Sequence, residues 1–245
     1  MRRIVWAAAL ITLAAATSSP ADAQRADSVD LELVLLADAS GSIDNAEIRF
    51  QRQGYAAAIT HPEVLGAIAQ GYDQRIAITY VEWGMVGSQD VVVPWTIVDG
   101  PDSALAFADA LMEAPRRAFG RNAIGEALAF GQALIESTEV EGYRKVIDLS
   151  GDSANSWSGL SIAEARASAL SAEIVINGLA ILCRHCSGRP VRYDLEAAFA
   201  ERIIGGPGSF VISATGDEHF ADAVRKKLVL EIAGTLGPDL RLARD

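Results

Sequence analysis

Cysteine and histidine are scarce in this chain, with 2 and 3 copies among 245 residues. That excludes a zinc cluster built from paired C-x-x-C units and leaves little material for thiolate or imidazole chemistry. Positive charge is short too: 21 Lys and Arg stand against 32 Asp and Glu, for a formal net charge of −11. So acidic a surface repels nucleic acid and anionic lipid, and neither is expected as a partner. Beyond the N-terminus there is no apolar run long enough to cross a bilayer, so no membrane span is expected in the mature chain. Internal repeats, low-complexity tracts, dense charge runs and linkers are absent as well. The chain therefore reads as one domain with its acidity spread over solvated faces.

The one long apolar stretch opens the chain. Arg2 and Arg3 precede the apolar run Ile4 to Ala16, and Ala21-Asp22-Ala23 has the A-x-A form of a cleavage site. This is the pattern of a signal peptide, too short for a comfortable anchor, and no Cys follows it to accept a lipid. The expected organisation is a signal peptide at 1–23, a short segment at 24–29, a domain at 30–234 and a tail at 235–245. Export to the periplasm or the medium follows. In such an oxidising compartment Cys183 and Cys186 are expected to close a local disulfide. A redox-active C-x-x-C, or half of a zinc site with His185, are the alternatives.

Strand-like and helix-like segments alternate, which predicts an α/β fold, doubly wound, with a mostly parallel central sheet and helices on both faces. Strands are expected at 31–38, 74–83, 89–98, 144–150, 173–182 and 209–214. Helices are expected from Asp44 to about His61, from Pro101 to Met112, and over 123–137, 161–172, 191–204 and 217–233. Pro94 cannot donate a ladder bond, so the third strand belongs at an edge. Its short connection to the second makes an antiparallel edge pair.

The first strand, LELVLLAD, runs straight into Ala39-Ser40-Gly41-Ser42. It delivers Asp38, Ser40 and Ser42 to the C-terminal edge of the sheet, where open α/β folds bind their ligands. A carboxylate with two hydroxyls is the oxygen-rich set that hard cations such as Mg2+ select. Asp44, with Glu47 three residues on, has the form of a capping box, and the helix it opens directs its N-terminus at the same edge.

With this D-x-S-x-S string the chain resembles the von Willebrand factor type A (vWA) fold, over about Asp30 to Ala233. That family holds a divalent cation on three loops, the metal-ion-dependent adhesion site (MIDAS). Asp38, Ser40 and Ser42 match the first loop. Phe119 to Gly125 falls where the family has a Thr, a place taken here by Asn122, whose side-chain carbonyl is still a neutral oxygen donor. Leu149-Ser150-Gly151-Asp152 supplies the second Asp, followed by Ser153 where many relatives have Gly. The segments YVEW, VVPW, PRR-FG, SGD and IGGPG resemble, more narrowly, exported bacterial vWA proteins. The resemblance implies a metal site of Asp38, Ser40, Ser42, Asn122 and Asp152 for Mg2+, or for Mn2+ or Ca2+. It also implies divalent-cation-dependent protein-protein binding, in which the partner offers an acidic residue to the ion.

Two other readings compete. A structural scaffold with a degenerate metal site has the same fold. Gly151-Asp152-Ser153 resembles the GDS block of a serine esterase family, with Asp217 and His219 as acid and base of a serine hydrolase. In that family, however, the block follows the first strand and here it follows the fourth, and Asp217 and His219 depart from D-x-x-H. No complete catalytic constellation is visible, so the chain is expected not to be an enzyme. Trp83 and Trp95 are expected to pack in the core or hairpin. Trp157 either stands exposed beside Asp152 or folds down over its loop. Arg116, Arg117 and Arg121 either attract an acidic partner or balance nearby carboxylates.

Overall fold

The structure, a computed structural model, describes residues 28–182, 193–216 and 220–234. The expected signal peptide, the Cys183–Cys186 pair with His185, Asp217, His219 and the tail lie outside the described residues. The strands are β1 (Ser28–Val29), β2 (Leu31–Asp38), β3 (Ile76–Trp83), β4 (Gln89–Val98), β5 (Glu141–Gly142), β6 (Lys145–Gly151), β7 (Val175–Ile181) and β8 (Val211–Ala214). The helices are α1 (Asn45–Ile59), α2 (Pro62–Ala69), α3 (Pro101–Glu113), α4 (Ile124–Ser137), α5 (Ile162–Ser171), α6 (Leu195–Arg202) and α7 (Phe220–Ala233).

Six strands form one sheet in the order β4-β3-β2-β6-β7-β8, while β1 and β5 make a small parallel pair beside it. Every neighbour in the large sheet is parallel except β3 and β4, which are antiparallel. The α/β expectation holds, and Pro94 lies on an edge strand, where its missing N–H leaves no ladder bond unmade. The chain builds outward from β2 to β3 and β4, then returns to lay β6 on the other side of β2. The C-terminal ends of β2 and β6 therefore flank a topological switch point, where two loops diverge and leave a crevice.

β2 is buried along its whole length, as a central strand covered on both faces must be. Leu31, Leu33 and Leu35 face one layer with Tyr55 of α1, Val64 of α2, Phe107 and Leu111 of α3, and Phe220 and Leu228 of α7. Val34 and Leu36 face the other, with Ile124 and Leu128 of α4, Ala165 of α5 and Phe199 of α6. Each fully buried Leu contributes about 1.5–3 kcal/mol, so the strand that carries Asp38 is among the most firmly seated parts of the fold.

Two details differ from expectation. His61 does not merely end a helix: its Nδ1 accepts from Glu63 N at 3.2 Å and caps α2, with Pro62 in the first turn, where the missing N–H is harmless. The layer under α1 and α7 also holds charge. Lys227 lies 2.6 Å from Asp148 Oδ1 and also bonds Glu231 Oε1, and Arg52 Nε lies 2.7 Å from Glu82 Oε1. All five of these side chains are buried. Burial, and then the neighbouring Asp148 charge, push the Glu231 carboxyl up to about 7.

Candidate metal centre

The first loop is shaped by its own side chains. Asp38, the last residue of β2, is fully buried, and its Oδ1 accepts from Ser40 N at 2.8 Å. That bond folds Ala39 and Ser40 back over the strand end, and Ile43 N closes the turn on Ser40 O at 3.0 Å. The Ser40 and Ser42 hydroxyls stand 3.3 Å apart, and Ser42 Oγ donates to Asp152 Oδ2 at 3.1 Å. The predicted capping box is present: Asp44 Oδ1 accepts from Ala46 N and Glu47 N, and Glu47 Oε2 from Asp44 N. It starts α1 immediately beyond the loop, which aims the positive end of the helix dipole at this edge.

Asp152 follows β6 directly. Parallel pairing of Ala37 with Ser150 brings the two strand ends level, so Asp152 meets the first loop. Its carboxyl lies within hydrogen-bond reach of the Asp38 carboxyl, a contact that needs a proton or a cation between the two. Burial first, and then the Asp38 charge, push the Asp152 carboxyl up to about 8, with the Ser42 hydroxyl pulling the other way. Asp38 is raised as well, by burial, against the hydrogen bonds from Ser40. Among the described residues Asp38 Oδ2 is buried without a hydrogen-bond partner.

The middle loop joins through its backbone. Gly41 N donates to Gly120 O at 2.7 Å, and Asn122, buried just beyond, accepts from Trp157 N at 2.8 Å through its carbonyl. All three loops thus converge on one point of the sheet edge. Asp38, Ser40, Ser42 and Asp152 are in a chain of contacts, with Asn122 on the loop that borders them. No group of three or more His, Cys, Asp and Glu side chains placed to hold a metal ion occurs among the described residues, and this site too carries only two carboxylates beside its neutral oxygens.

A protein family described as "Protein of unknown function (DUF1194)" matches residues 28–236. The chain belongs to this family. No curated protein matches it in sequence. Among solved structures it is similar to proximal thread matrix protein 1 of the mussel byssus with a zinc-occupied MIDAS motif, at TM-score 0.61 and 14% identity, over 84% of this chain and 48% of that one. The chain thus spans about half the length of the mussel protein. The pilus adhesin SpaC of Lactobacillus rhamnosus GG matches at TM-score 0.58 and 14% identity, over 83% of this chain and 30% of the adhesin. The SpRpn10 VWA domain matches at TM-score 0.54 and 14% identity, over 85% of this chain and 100% of that one. At such identities the likeness speaks to fold, and the fold of this DUF1194 chain is vWA-like.

Within the DUF1194 domain, Arg116 has a role its sequence context did not reveal. Its guanidinium donates to Ala39 O at 2.8 Å, Ser40 O at 3.4 Å and Asn45 Oδ1 at 3.1 Å, clamping the first loop from outside. Arg117 lies 3.7 Å from Asp90, and Arg121 sits 5.5 Å from the Trp157 ring centroid. Tyr193, likewise unforeseen, accepts from Ala154 N at 2.9 Å and pins the loop after Asp152; no local motif marks it. Ser153 Oγ is 3.4 Å from the Tyr193 hydroxyl and accepts from Asn155 N at 3.2 Å. Trp83 is buried, Trp95 Nε1 donates to Leu134 O at 3.3 Å, and Trp157 is 66% exposed.

Proposed function

We propose that this DUF1194 domain binds a protein partner through a divalent cation held by Asp38, Ser40, Ser42, Asn122 and Asp152. The observation that carries the reading is the pair of buried carboxyl groups in mutual contact, linked also through the Ser40 and Ser42 hydroxyls, with Asp38 Oδ2 buried. Two such groups without a counter-charge are costly in a low-dielectric setting, and the residues around them are oxygen donors. The donor set therefore fits Mg2+, Mn2+ or Ca2+; oxygen ligands disfavour zinc relative to sites that offer nitrogen or sulfur.

A bound divalent cation supplies the charge that balances Asp38 and Asp152, plus an open position for a carboxylate. The chain's residues do the rest. Ser40 N and Arg116 fix the first loop, Tyr193 fixes the third, and the neutral donors leave the ion strongly attractive to an incoming acid. The mussel protein's zinc-occupied motif and the adhesin neighbour support this reading by analogy of fold. It places the domain outside the cell or in the periplasm, where the signal-like N-terminus would send it, and with no catalytic role.

The test is affinity capture from extract of the source cells on immobilised chain, in Mg2+ and after chelation. A partner retained in Mg2+, released by EDTA and not retained by Asp38→Ala supports the reading. Equal retention by Asp38→Ala contradicts it and leaves the scaffold alternative.

A further inference from the structure

Single exposed apolar side chains are ordinary on a protein surface; contiguous ones mark contact sites. Among the described residues ten large apolar side chains are exposed, and five of them stand around the candidate metal centre: Met85, Val86, Phe119, Trp157 and Leu160. They belong to separate segments that are stitched together. Met85 N donates to Phe119 O at 3.0 Å, and Phe119 N to Ser88 Oγ at 2.9 Å. Gly120, at φ +97°, makes room for the Met85 side chain: a Cβ there would lie 2.5 Å from Met85 Sδ. Gly159, at φ +80°, does the same for Val86, whose Cγ2 would be 2.8 Å away. Trp157 is tied to the middle loop by its N–H to Asn122 O and carries Arg121 over its ring. The β3–β4 turn, the Phe119–Asn122 loop and the Trp157–Leu160 loop therefore form one apolar rim.

We propose that this rim is a docking surface for an extended partner segment in which an acidic residue is flanked by bulky apolar ones. The inference rests on the metal-dependent reading above and names the partner's chemistry. The acidic residue addresses the Asp38–Asp152 centre, and its neighbours cover Phe119 and Trp157. Charge complementarity favours such a segment: in a chain of formal charge −11, the loop that borders the site carries Arg121, set over the Trp157 ring, and Arg116. The partners of Arg116, which are Ala39 O, Ser40 O and Asn45 Oδ1, leave its charge unneutralised, while Arg117 lies against Asp90. Reach agrees as well. Phe119 adjoins Gly120, which is bonded to Gly41 between the two serines, and an extended segment advances about 3.3–3.6 Å per residue. An apolar residue within three positions of the acid therefore has about 10–11 Å of reach toward Phe119. Aromatic side chains beside a charged centre are also the groups that dominate binding energy at interfaces.

The test is selection of phage-displayed random peptides on the immobilised full chain in Mg2+. Binders are measured on the parent, on Phe119→Ser/Trp157→Ser and on Asp38→Ala. The expected peptides pair Asp or Glu with Phe, Trp, Leu or Met within three residues and are released by EDTA. The double variant binds them at least tenfold more weakly yet keeps the Mg2+-induced rise in melting temperature, which shows that it is folded and loaded. Peptides with an acid but no apolar neighbour, or full affinity in the double variant, overturn the inference and leave the metal-dependent reading standing. Apolar peptides that bind regardless of EDTA, with no Mg2+ effect on melting, overturn both. Failure to select any peptide, or self-association of the parent that the double variant loses, overturns the inference; the latter assigns the rim to a second copy.

Discussion

Asp152→Asn is expected to stabilise the metal-free protein at neutral and alkaline pH. The carboxyl stands at about 8 in the folded chain against an ordinary value of 3.8. The folded state therefore keeps a proton that the unfolded chain releases, so folding stability is highest below about pH 4 and falls as pH rises through about 8. At about 1.4 kcal/mol per unit, the loss by pH 7 is about 4 kcal/mol at most, and about 2–4 kcal/mol once the Ser42 hydroxyl and the loop readjust. Asn keeps an oxygen for Ser42 and carries no charge, so it escapes that loss. Urea unfolding in EDTA, for parent and variant, yields the difference directly and cancels the raised carboxyls that do not touch Asp152, while any change at Asp38 belongs to the pair. That difference should be near zero at about pH 4 and grow to about 2–4 kcal/mol in the variant's favour by about pH 8. Saturating Mg2+ should stabilise the parent and erase the gap. A difference that stays constant across this range, or that favours the parent at high pH, would refute the electrostatic account of the two carboxylates.

Lys227→Met should cost about 3–5 kcal/mol in urea unfolding, because Asp148 and Glu231 would be left buried without their shared cation; a loss under about 1 kcal/mol would show that the trio is not a coupled unit. Arg116→Ala should weaken Mg2+ binding by about five- to tenfold in calorimetry and lower stability by about 1–2 kcal/mol, since Ala39 O and Ser40 O lose a charged donor. Unchanged Mg2+ affinity would make the guanidinium a mere brace.

What could be read from the chain beforehand was what short-range pattern determines. The unbroken run before Asp38 marked a strand covered on both faces, and Pro94 marked an edge. Asp44 with Glu47 marked a helix start that proved correct to the bond. The D-x-S-x-S string was legible because a buried strand delivers Asp38 to the sheet edge and the two serines follow it within four residues, in the turn that its carboxylate closes. Pairings across the fold were not legible. Lys227 follows Lys226 on a helix with acidic neighbours and looks like part of a solvated face, whereas the register of β6 under α7 sets Asp148 against it. Arg116 read as one of three arginines in a loop, and only the contact between that loop and the Ala39 carbonyl distinguishes it. The helix expected to end at about His61 is followed by another, because Pro62 can end a helix or begin one, and the cap from His61 decides for a beginning. The rim of Met85, Phe119 and Trp157 depends on three segments that meet only in the folded chain.

The central claim is that Asp38 and Asp152, with the neutral oxygens around them, hold one divalent cation. Isothermal titration of Mg2+ into EDTA-stripped chain tests it most directly, with Asp38→Ala and Asp152→Asn as comparisons. The account predicts one saturable site per chain in the parent and none in either variant. No uptake by the parent, or the same isotherm from both variants, would contradict it.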